Sequence, residues 1–100
     1  MSWATNYIKK LQIGDTIQFK PRGNSMKGKI NSGNLVTIEP IGNQKLKKGD
    51  IVLCKVKGRE YLHLIKAIRG KQYQIGNNRG RINGWISIAA IFGICTKIER

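Results

Sequence analysis

Beyond residue 12 the chain never sustains an apolar helical period. It breaks instead into short runs rich in Ile, Val, Leu and Tyr, each bounded by Gly, Pro or Asn: Thr16–Lys20, Leu35–Glu39, Ile51–Lys57, Glu60–Arg69, Lys71–Ile75 and Ile91–Ile98. β-Branched and aromatic side chains suit a pleated, half-buried surface, and Gly, Pro and Asn supply the turns between such surfaces. Six strands at this spacing predict a mostly β fold, a folded antiparallel sheet or partial barrel. Lys57-Gly58-Arg59 and Arg69-Gly70-Lys71 are tight Gly-centred links, so residues 51–75 read as a three-stranded meander. At the N-terminus the pattern differs. Trp3, Tyr7, Ile8 and Leu11 fall on one side of a short helix, expected within residues 1–12 and ending before Gly14-Asp15, where it would act as a lid on the sheet.

A chain of 100 residues, 40% of them hydrophobic, is long enough for one core and too short for two, so residues 1–100 are expected to form a single domain with its β core over 16–98. Two cysteines, Cys54 and Cys95, cannot make a disulfide scaffold, and a reducing cytoplasmic setting is the expectation. The longest uncharged stretch, Ile82–Thr96, has 15 residues and includes Asn83, Gly84 and Gly93, short of the roughly 20 apolar residues of a membrane span. Met1–Leu11 carries Asn6, Lys9 and Lys10 where an export signal needs an unbroken apolar run. The net charge of +14 would draw in polyanions, which makes nucleic acid or an acidic protein surface a candidate partner. The basic residues are scattered, with no dense tail and no single basic helix.

In the longest run, Tyr61, His63, Ile65 and Ala67 share one strand face while Leu62, Leu64, Lys66 and Ile68 share the other. Each face thus carries one ionisable group among apolar ones. Between the first two strands lies a polar, Gly-punctuated loop, Pro21-Arg22-Gly23-Asn24-Ser25-Met26-Lys27-Gly28-Lys29-Ile30, able to expose a serine. One His and two distant Cys offer no zinc-ligand spacing; no carboxylates are paired for glycosidase work, and no phosphate loop or dinucleotide fingerprint occurs. No metal or cofactor is expected.

Several segments in order carry a resemblance. Gly23-Asn24-Ser25-Met26 resembles the Gly-x-Ser-Met nucleophile box of the serine peptidase clan that holds the bacterial signal peptidases and the LexA/UmuD-type self-cleaving proteins. Ser32–Ile38 and Lys48-Gly49-Asp50-Ile51-Val52 resemble that clan's first two core strands, Tyr61–Ile65 lies where its members carry the catalytic base, and Gly76-Asn77-Asn78-Arg79 is similar to its Gly-Asp-Asn box. The resemblance covers Phe19 to Lys97 and implies a soluble serine peptidase acting on another polypeptide, held as an extra strand at a sheet edge. It makes Ser25 the nucleophile and leaves the base between His63 and Lys66. His63 stands 38 residues after Ser25 and 15 before Asn78, spacings close to those of the LexA-like members, whereas Lys66 needs a three-residue slip and the opposite strand face.

The residue types suit that chemistry. A serine hydroxyl attacks a carbonyl only when a neighbouring base takes its proton. An imidazole, with an ordinary pKa near 6.5, is neutral at pH 7, while a lysine would need a depression of about three units. Backbone N–H groups at Gly23, Asn24 and Ser25 are the expected donors to the developing oxyanion. The chain also departs from the clan's pattern. Gly28 replaces the Pro that usually follows the Ser-Met pair, Asn77 replaces the Asp of the box, and Asn83 falls where signal peptidases have another carboxylate. Asn77, Asn78 and Asn83 are therefore the candidates for orienting the His63 ring through a side-chain carbonyl. The sequence has no Ala-Gly or Cys-Gly dipeptide, the bond that self-cleaving relatives cut. The alternative is a catalytically inactive peptidase-like fold serving as a basic module for nucleic acid or protein.

Overall fold

The computed structural model describes residues 2–100. A short helix, α1 (Thr5–Gln12), precedes seven strands: β1 (Ile17–Phe19), β2 (Leu35–Glu39), β3 (Ile51–Val56), β4 (Arg59–Arg69), β5 (Gln72–Gly76), β6 (Ile82–Ser87) and β7 (Ile91–Glu99). They form one antiparallel sheet in the order β1-β2-β7-β3-β4-β5-β6. The fold is mostly β, as the apolar runs predict. β3, β4 and β5 make the expected meander, and Lys57 and Gly58, both at positive φ, form its first hairpin turn. β6 adds a seventh strand where six apolar runs had suggested six. Its Ile82 and Trp85 are exposed and only Ile86 is buried, so this edge strand carries little of the apolar signal that marks the others.

The sheet curls so that β3, near its middle, is covered on both faces. Ile51 and Leu53 join one core cluster with Leu62, Leu64, Val36, Ile38 and Met26. Val52, Cys54 and Val56 join another with Ile65, Ile75, Ile86 and Ile94. A strand buried on both sides has no polar alternation to show, which is why Ile51–Cys54 is a continuous apolar run. α1 caps the first cluster through Ala4, Tyr7, Ile8 and Leu11, at helical spacing. It sits close because β7 has Gly93 beneath it: a Cβ there would meet Ile38 Cγ2 at 2.7 Å and Leu11 Cδ1 at 3.0 Å. Among the described residues no helix is long and apolar enough to cross a membrane.

In β4 the expected alternation holds through Ile65 and then breaks. Ile65 pairs with Ile75 and Ala67 with Gln74, which leaves Lys66 as the extra residue of a β-bulge. The two-residue face rule therefore does not carry across residue 66. β5 pairs with β4 only from Leu64 onward, so over Arg59–His63 the ladder partner of β4 is β3 alone.

Candidate functional site

Ser25 is carried by the long connection between β1 and β2, and local chemistry holds that connection in shape. Met26, buried in the first core cluster, anchors it, and the Met26 carbonyl accepts from the N–H groups of Lys29 and Ile30 at 3.0 and 2.8 Å, a single helical turn. Gly28, at φ +98°, lets the chain leave that turn and donates its N–H to Asn31 Oδ1 at 3.0 Å. Proline's fixed negative φ and missing N–H fit neither role.

The Gly76–Arg81 segment staples the loop from the other side. The Asn78 N–H donates to the Ser25 carbonyl at 2.9 Å, and Asn78 Nδ2 donates to the Lys27 carbonyl at 2.8 Å. Asn77 is buried and folds its own turn: its Oδ1 accepts from the N–H groups of Arg79 and Arg81 at 2.8 and 2.9 Å. Neither Asn77 nor Asn78 is the His63 partner; both are occupied in holding backbone.

His63 is buried in β4, with Tyr61, two residues earlier on the same face, stacked against its ring at 4.8 Å between centroids. Nε2 lies 3.1 Å from Ser25 Oγ and Nδ1 lies 2.7 Å from Asn83 Oδ1. An amide oxygen accepts only, so Nδ1 carries the ring proton and the Nε2 lone pair faces the serine hydroxyl. Burial pushes the His63 pKa below its ordinary 6.5; the Asn83 bond opposes this, and the nearby Arg81 charge adds to it. The neutral ring is thus the favoured form at pH 7. Lys66 lies at the bulge with its stem against Gly76, and it is His63 Nε2 that accepts the hydrogen bond of the Ser25 hydroxyl.

A cleft of about 610 Å³ opens onto Ser25 and His63, with Trp3, Tyr7, Phe19 and Tyr61 among its walls. Its aromatic side was not foreseeable from the serine box, because it is assembled from the start of the chain and from β1. Tyr61 also lines a smaller recess of about 330 Å³, together with Lys57, Arg59, Arg81 and Asn83. Cys54, the other nucleophilic side chain nearby in sequence, is shut in the core, where burial pushes its thiol up to about 12. Among the described residues no three His, Cys, Asp or Glu side chains are grouped to hold a metal ion.

A family model described as Peptidase S24-like matches residues 5–79, three quarters of the chain. The match takes in Ser25, His63, Asn77 and Asn78 and stops short of Asn83. Comparison with curated proteins gives no match.

Proposed function

This chain belongs to the Peptidase S24-like family, and on that premise we propose that it hydrolyses a peptide bond in another polypeptide, with Ser25 as nucleophile, His63 as base and Asn83 as the group that orients His63. The observation that carries the reading is the continuous line from Ser25 Oγ through both His63 nitrogens to Asn83 Oδ1, with the proton on the ring atom away from the serine.

In this scheme Ser25 Oγ bonds to the substrate carbonyl carbon while its proton passes to His63 Nε2 and the carbonyl electron pair moves onto oxygen. Backbone N–H groups at Gly23, Asn24 and Ser25 donate to that oxygen. The imidazolium returns the proton to the departing nitrogen as the C–N bond breaks, leaving an ester on Ser25 and a free amine. Water, deprotonated by the same ring, then cleaves the ester to a carboxylic acid and restores the hydroxyl. The substrate lies as an added strand along the Arg59–His63 edge of β4, the stretch that β5 leaves unpaired beside the dyad.

A fluorophosphonate probe tests the reading. It should label Ser25 stoichiometrically in the wild-type protein and leave Ser25→Ala unlabelled at unchanged circular dichroism; equal labelling of the variant overturns the assignment. A second reading, a basic module that hydrolyses nothing and binds nucleic acid or an acidic protein, draws on the recess where Lys57, Arg59 and Arg81 meet with no acidic residue in its lining. It requires affinity that falls steeply with salt.

A further inference from the structure

The cleft at Ser25 has a wall that attack on a peptide bond does not itself require. Tyr7 stacks on Phe19 at 4.6 Å between centroids, and Trp3 leans on Phe19 at 5.6 Å, so α1, the residues before it and β1 together present an aromatic surface that Met26 and Tyr61 extend towards the reacting atoms. Trp3 is 51% exposed although it sits over a cavity. Large apolar surface left open to water around a concavity is relieved when an apolar group fills it. Three charged residues share the lining: Lys20 and Arg22 are exposed to water, and Glu60 is paired with Lys55 at 3.5 Å.

Resting on the reading of Ser25 as the nucleophile of a peptidase, we propose that this cleft selects polypeptides with a large apolar side chain, aromatic above all, on the residue whose carbonyl is attacked. That residue remains bonded to Ser25 Oγ in the acyl-enzyme, so its side chain occupies space continuous with that oxygen. Ser25 itself lines the cleft of about 610 Å³ that has Trp3, Tyr7, Phe19 and Tyr61 among its walls. An alanine methyl would leave most of that volume to water, whereas a phenyl ring buries its area against the aromatic wall in offset or edge-on contacts. An acidic side chain would have to leave water for this wall, in a cleft that Glu60 also lines and where the exposed Lys20 and Arg22 are the cations able to answer its charge.

Succinyl-Ala-Ala-X diphenyl phosphonates, in which X is Phe, Leu, Ala or Asp, test this directly. Phe and Leu should label Ser25 at least about tenfold faster than Ala or Asp, the ratio expected from burying one large apolar side chain, and Trp3→Ala should cut the Phe-to-Ala ratio severalfold. Equal rates, or a faster Ala probe, overturn the proposal while leaving the hydrolytic reading intact if the small fluorophosphonate still labels Ser25. Should no probe label Ser25, the hydrolytic reading fails, and the cleft is judged by binding alone. In Ser25→Ala the indole N–H resonance of Trp3 should shift saturably with succinyl-Ala-Ala-Phe amide at concentrations at least about tenfold below those needed for the Ala peptide. Indistinguishable titrations would sink the selectivity.

Discussion

His63 Nδ1 lies 2.7 Å from Asn83 Oδ1 while the opposite ring nitrogen lies 3.1 Å from Ser25 Oγ, so one neutral amide fixes both the tilt of the ring and the nitrogen that holds its proton. A carboxylate in the place of Asn83 would do the same and also stabilise the imidazolium. An amide orients without adding charge, which keeps the ring neutral and places the proton-accepting limb at lower pH.

Replacing Asn83 separates the two roles. Asn83→Ala removes the acceptor and frees the ring, and kcat/KM should fall by about 10- to 100-fold, the scale of a small misplacement of a reacting group. Asn83→Asp keeps the acceptor and adds a charge, so the pH profile should move upward with little loss at its plateau. Steady-state kinetics of both variants across pH 5–9 check this; an unchanged profile in Asn83→Asp would remove the positioning role.

The pH dependence has a definite sign. Burial holds the folded His63 pKa below 6.5, so the folded chain binds fewer protons than the unfolded one between those two values. Stability from this group is complete above about pH 6.5 and is lost as pH falls through the lowered value. Activity should rise across the same lowered value and be level at neutral pH. His63 is the single histidine in the chain, so its Cε1–H resonance gives the titration without assignment by mutation. A midpoint at or above 6.5 would contradict the buried, neutral ring.

The serine loop should be sensitive at Gly28. Gly28→Pro imposes a negative φ where the chain has +98° and deletes the N–H that reaches Asn31 Oδ1. Backbone strain and a lost hydrogen bond together should cost about 2–4 kcal/mol, read as a lowered midpoint in urea. Asn78→Ala, which loses only the Nδ2 bond to the Lys27 carbonyl, should cost about 1 kcal/mol and slow labelling of Ser25 more than it lowers stability.

What the sequence made legible follows from where the physics is local. Ile, Val and Leu runs at β2, β3, β4 and β7 supply most of the core and announce themselves, and the parity of Tyr61 and His63 is a strand property readable two residues at a time. β6 was silent because an edge strand with exposed Ile82 and Trp85 has no apolar alternation to show, and Asn83 travels on it. Asn77, Asn78 and Asn83 are chemically identical in sequence. Only the β5–β6 register, with Ile75 opposite Gly84, decides that Asn83 meets the ring while the other two hold turns. The Trp3 and Tyr7 wall depended on where α1 docks, which Gly93 settles from the far end of the chain.

Lys66 and His63 offer the sharpest separation of two bases that the sequence alone leaves open. A bulge at residue 66 ends the alternation that sets Lys66 on the face opposite His63, and the contact itself separates the two: Ser25 Oγ is hydrogen-bonded to the imidazole, and the lysine stem packs beside Gly76. Lys66→Met keeps that stem and removes the amine. It should retain wild-type labelling of Ser25 within about twofold, because an apolar chain of similar shape is tolerated at such a site. His63→Gln keeps a polar side chain in the same strand but has no ring nitrogen to take the proton, and its labelling rate should drop by about 10² to 10⁴. Measured side by side at pH 7.5, a large loss in Lys66→Met with activity kept in His63→Gln would transfer the base to the lysine.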